Sequence, residues 1–92
     1  MIVTAVQVKM LIHESHSLKA KRGVVKSIKQ RIRNKFNVSI AEVGDLERHN
    51  YAELGISAVG NETRFTEEQI GKAVNFIESD FRVEVIEVSR II

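Results

Sequence analysis

The chain has 92 residues, 43% hydrophobic and 28% charged, with neither cysteine nor tryptophan; that is one domain, residues 1–92, burying about 60–65% of its unfolded surface. The missing cysteines exclude disulfides and cysteine-ligated zinc or iron-sulfur centres and suit a reducing cytosol. The net charge of +2, from 14 basic and 12 acidic residues, hides an asymmetry: eight of the basic residues fall between positions 17 and 36, and the rest of the chain carries −6. A molecule so divided can steer an anionic partner to one side. No apolar run approaches 18 residues, which excludes a spanning helix. Met1 to Lys9 lacks the basic-then-apolar layout of a secretory signal, so the expected setting is cytoplasmic, with no membrane partner.

Residues 2–12 alternate, with Ile2, Val6, Val8, Met10 and Ile12 on one side and Val3, Ala5, Gln7, Lys9 and Leu11 on the other. This predicts a long, central strand. His13 to Ser17 is a polar turn with two candidate N-caps, Ser15 and Ser17. A basic amphipathic helix follows over 17–36. At about 100° per residue, Leu18, Val24, Val25, Ile28, Ile32 and Phe36 share one apolar arc. Lys19, Arg22, Lys26, Lys29 and Arg33, spaced three, four, three and four apart, share an adjoining arc of about 80°.

Val38 to Val43 reads as a second strand and Gly44 to Asn50 as a polar connection. The third strand, Tyr51 to Val59, has Ala52, Leu54, Ile56 and Ala58 on its apolar face, and Gly60 to Glu62 turns out of it. Thr66-Glu67-Glu68-Gln69 has the form of a capping box opening a second helix, with Ile70, Ala73, Val74, Ile77 and Phe81 on its stripe and Phe76 outside it. In the last strand, Arg82 to Ile92, Val83 and Val85 are in phase but Ile86 and Val88 are not. That break implies a bulge, a change of face or burial on both sides.

Strand, helix, strand, strand, helix, strand is the βαββαβ order of the ferredoxin-like α+β sandwich, a four-stranded antiparallel sheet with two helices on one face. Leu11, Val59, Ile86 and Val88 are candidates for a homodimer patch on the other face.

Ser17-Leu18-Lys19-Ala20-Lys21-Arg22, Asn37-Val38-Ser39-Ile40-Ala41-Glu42-Val43-Gly44, and Leu54-Gly55 with Asn61 together resemble the YlxP-like family of small bacterial proteins of undefined biochemical role. The resemblance covers nearly the whole chain and implies the same ferredoxin-like fold. Because members are often encoded near translation-initiation and ribosome-maturation factors, it also implies an RNA-related setting. The chain departs from the pattern before its third strand. Many relatives carry Trp and Arg there; this chain has His49 and Tyr51, so no role of those positions carries over.

The basic row points to phosphate binding. Cations beside a helix N-terminus oppose the helix dipole, which costs stability but suits anion capture. The alternative is a solvated face paired with nearby acids. Stacking of bases on the sheet, as in RNA-recognition motifs, is not expected, because the central strands lack aromatics. His13, Glu14 and His16 do not complete a metal site without a third imidazole, and His49 has no nucleophilic partner. Glu42 and Glu53, placed across from each other on neighbouring strands, read as salt-bridge partners rather than an acid-base pair. Acylphosphatases share the architecture but place a glycine-rich loop and an Arg before the first helix; residues 13–21 contain neither. The expectation is a non-enzymatic, cofactor-free, RNA- or ribosome-associated protein. Its contacts to structured RNA or a ribosomal particle would be Lys19, Lys21, Arg22, Lys26, Lys29 and Arg33, with Lys21 leaning toward the buried arc unless the helix starts after it or its stem snorkels. The alternative is a homodimeric interaction or regulatory module that binds no nucleic acid.

Overall fold

The computed structural model describes residues 1–92. Its elements are β1 (Ile2–Ile12), α1 (Leu18–Lys35), β2 (Ser39–Gly44), β3 (Tyr51–Gly60), α2 (Thr63–Glu78) and β4 (Val83–Arg90). The sheet order is β2-β3-β1-β4 with every neighbour antiparallel, the ferredoxin-like arrangement. No helix is long and apolar enough to cross a membrane. The alternation in β1 and β3 is what places the helices. Val8, Met10, Ile12, Leu54, Ile56 and Ala58 all point to one face, where Val25, Ile28 and Ile32 of α1 and Ile70, Ala73 and Ile77 of α2 close over them.

The phase break in the last strand is a bulge. Lys9 lies opposite Glu87 and Met10 opposite Val85, so Ile86 is the extra residue. The bulge moves Val88 to the helix side of the sheet, opposite buried Val8. Val88 therefore does not belong to a patch on the open face, where Leu11 and Val59 remain. Val43 joins them: a Cβ at Gly55 would stand 3.0 Å from its Cγ1, so the glycine lets that side chain lie flat on the sheet.

The second helix starts one turn earlier than the capping box implies. Glu62 is its N-cap and makes no side-chain capping bond. Thr66, inside the helix, is completely buried; its hydroxyl lies 2.7 Å from that of Thr4 and donates to Thr63 O at 2.9 Å. Tertiary pairing of two buried hydroxyls has outweighed a local capping pattern. The helix stops at Glu78, which leaves Phe81 off the stripe and 90% exposed. Phe76, half-buried, instead meets Phe36 edge-on at 5.9 Å, joining the two helices.

The turn after α2 is held by a fork. Asp80 Oδ1 accepts from the Arg82 backbone N–H at 2.9 Å and from its Nε at 3.0 Å, while Oδ2 accepts from Nη2 at 2.7 Å. Nη2 also reaches Ser27 Oγ on α1 at 3.3 Å. The Arg82 hydrogen bonds hold the Asp80 carboxyl below its ordinary value of 3.8, against the opposing effect of burial. A depressed folded-state value stabilises the fold above the unfolded one and loses that contribution as pH falls toward the lower folded value. Asp80→Asn should therefore cost about 1–3 kcal/mol at pH 7, and the gap from wild type should narrow as pH falls below about 4. Urea unfolding of both proteins at pH 7 and pH 3 checks this.

Candidate nucleic-acid interface

Of the two candidate caps, Ser17 starts α1. Its backbone is extended (φ −155°, ψ 159°) and its Oγ accepts from Ala20 N at 3.0 Å. Ser15 is buried and donates to His49 O, tying the turn to the connection before β3. No acid lies in the first turn of α1, whereas Arg33 and Lys35 in its last turn suit the dipole.

The helix docks through Val25, Ile28 and Ile32, which turns the cationic row toward the β2 edge of the sandwich. Lys19, Arg22, Lys26 and Arg33 are exposed and Lys29 is half-buried. A shallow cleft of about 380 Å³ lies along all of these but Lys19, with Val25, Gln30 and Glu42 completing its lining. Arg33 Nη2 donates to Ile40 O on β2 at 2.8 Å. This fixes the guanidinium at the sheet edge and leaves its other N–H groups for an anion.

No carboxylate of the chain pairs with any of these five. The ion pairs are Lys9 with Glu87, Lys21 with Glu42, Arg48 with Asp45, Lys72 with Glu68, Arg82 with Asp80 and Arg90 with Glu67. Among the eight cations of the helix segment, Lys21 alone has a carboxylate partner. The row is thus not a face neutralised by acids of α2 or the strands. Across the helix, Arg31 lies beside the turn that carries Asp80, and the Lys35 ammonium stands 5.9 Å and 5.3 Å from the Phe36 and Phe76 rings.

Lys21 has to be removed from the phosphate contacts. It is completely buried, with its ammonium 3.0 Å from Glu42 Oε2 as an ion pair and its directed hydrogen bond given to Asp45 O at 2.7 Å. On the buried arc, between Leu18 and Val25, the side chain does not snorkel outward; the desolvated ammonium is compensated from β2 and the loop after it. Glu42 is a salt-bridge partner, as its strand position and charge led one to expect, but Glu53 does not face it. Glu42 pairs in register with Leu54 and points to the helices, whereas Glu53 lies on the open face and accepts from Gln7 Nε2 at 2.8 Å.

Residues 3–90 match the family model described as a protein of unknown function, DUF503. The chain is also similar to the uncharacterized protein YlxP of Bacillus subtilis (strain 168), with 39% identity over 74 residues, 80% of each chain.

Proposed function

The chain belongs to the DUF503 family, whose role is undefined, and from that starting point we propose that it is a non-catalytic cytoplasmic protein that binds structured RNA, in a ribosome or its precursor, along Lys19, Arg22, Lys26, Lys29 and Arg33. The observation that carries this reading is that all five lack a carboxylate partner, whereas six of the other nine basic residues have one. Like charges repeated over 14 residues of helix, about 21 Å, repel one another, and no carboxylate forms an ion pair with any of them. A run of phosphates would. Release of their counterions supplies the binding free energy.

The translation-related gene setting that goes with the resemblance favours RNA as the polyanion. The bonds would run from side chains to the phosphate backbone and so select shape rather than sequence. Base stacking on the sheet has no support, since Tyr51 is buried beneath Arg48, whose guanidinium lies 4.3 Å from the ring centre. The test is binding of a structured RNA by the whole protein across a salt series. Five phosphate contacts give a log-log slope of about −3.5 to −4.5; a slope near zero would sink the proposal. A second reading, a homodimer closed through the open sheet face, rests on Val43 and Val59, each 53% exposed there. Sedimentation at micromolar concentration separates the two, because the first requires no dimer.

A further inference from the structure

On the opposite flank of α1 from the cationic row, a second cleft of about 380 Å³ lies between the helix and the turn after α2, lined by Arg31, Phe76, Ser79, Asp80, Phe81 and Arg82. We infer that this cleft is a nucleobase site, which takes one unpaired nucleotide of the RNA held by α1; the inference rests on the reading of α1 given above. Phe81 is 90% exposed, more than any other aromatic side chain of the chain, and it contributes nothing to the core. An aromatic ring left in water beside guanidinium groups is the arrangement on which bases stack, whatever their identity. The volume is at the small end of ligand sites.

Charge supports the same occupant. The Arg82 guanidinium is neutralised and fixed by Asp80 and Ser27, so it offers a rigid planar surface. Arg31 has no ion-pair partner. The cleft therefore keeps one uncompensated positive charge, which matches the single phosphate of one nucleotide. Between this cleft and the row, the helix surface carries Gly23, Gln30 and Asn34, which put no acid in the way. A strand crossing the helix spans about its diameter, 10–12 Å.

The experiment compares two RNA hairpins of equal stem length, one fully paired and one with a single bulged adenosine, against wild type, Phe81→Ala and Phe81→Trp at one salt concentration. Phe81 is exposed, so neither change threatens the fold. Wild type should bind the bulged hairpin about 5- to 150-fold more tightly, the range for one stacked base. Phe81→Ala should bind both hairpins alike, with wild-type affinity for the paired one, and Phe81→Trp should keep the preference. Equal, salt-dependent binding of both hairpins by wild type would overturn this inference and leave the phosphate row standing, as would an unchanged preference in Phe81→Ala. Failure of wild type to bind either hairpin would overturn both.

Discussion

Lys21→Ala should lower the stability of the domain by about 3 kcal/mol or more while leaving RNA affinity of the folded protein unchanged. The loss comes from what stays behind. With the ammonium gone, the Glu42 carboxylate, whose side chain is 15% exposed, has no counter-charge, and Asp45 O keeps only the Arg48 backbone N–H, at 3.2 Å, of its two donors. Removing one partner of a buried pair costs more than the pair contributes, because the survivor keeps its desolvation penalty. For a 92-residue domain with a total stability of about 5–14 kcal/mol, that is a large fraction. Lys21→Met/Glu42→Met, which removes both charges and keeps the volume, should recover most of it. Urea unfolding of the single and double variants gives both values. If Lys21→Ala unfolds at the wild-type midpoint, the buried pair is not what holds the start of α1 to the β2 edge.

The second large effect is on binding. Arg22→Glu/Lys26→Glu/Lys29→Glu should weaken RNA binding by about two to three orders of magnitude at 0.1 M salt, from the loss of three phosphate contacts. Arg33 is left in place because it anchors Ile40 O, and its loss would mix a structural change with an electrostatic one. The control is Arg48→Glu/Arg64→Glu/Lys72→Glu. These three exposed cations lie off α1, and the net charge changes by the same amount. It should weaken binding far less, since it alters only the distant field, which salt screens beyond about 10 Å. Equal loss in the two triple variants, measured by fluorescence anisotropy with a labelled RNA, would mean that overall charge and not the row is responsible.

The parts of the fold legible in the amino-acid order are those set by periodicity. A period of two in β1 and β3 and a period near 3.6 in α1 identify the faces that meet, and the phase break at Ile86 marks a real bulge. What was not legible depends on contacts between distant residues. Thr66 begins a pattern that usually caps a helix, yet Thr4, 62 positions away, pairs with its hydroxyl inside the core. Phe81 continues the α2 stripe on paper, but the helix ends at Glu78, where Ser79 caps it and its Oγ donates to Phe76 O.

The site divides in the same way. The row of five was visible from spacing alone. The angle of Lys21 already placed it near the buried arc, but its partner could not be chosen without the register of β2, which sends Glu42 toward the helices and leaves Glu53 on the other face. That the remaining cations are unpaired also needed the structure, because it depends on where every carboxylate ends up. The Phe81 cleft had no signal of its own: Arg31 and Phe81 are 50 positions apart and read as a surface charge and a core residue.

The most direct measurement of the central claim is the salt dependence of RNA binding for wild type beside Arg22→Glu/Lys26→Glu/Lys29→Glu, with circular dichroism to show that both are folded. The expected log-log slopes are about −4 for wild type and about −1.6 for the variant, which keeps two of the five phosphate contacts at about 0.7–0.9 each. Two equal slopes from two folded proteins would contradict it, and the row on α1 would then be a solvated face.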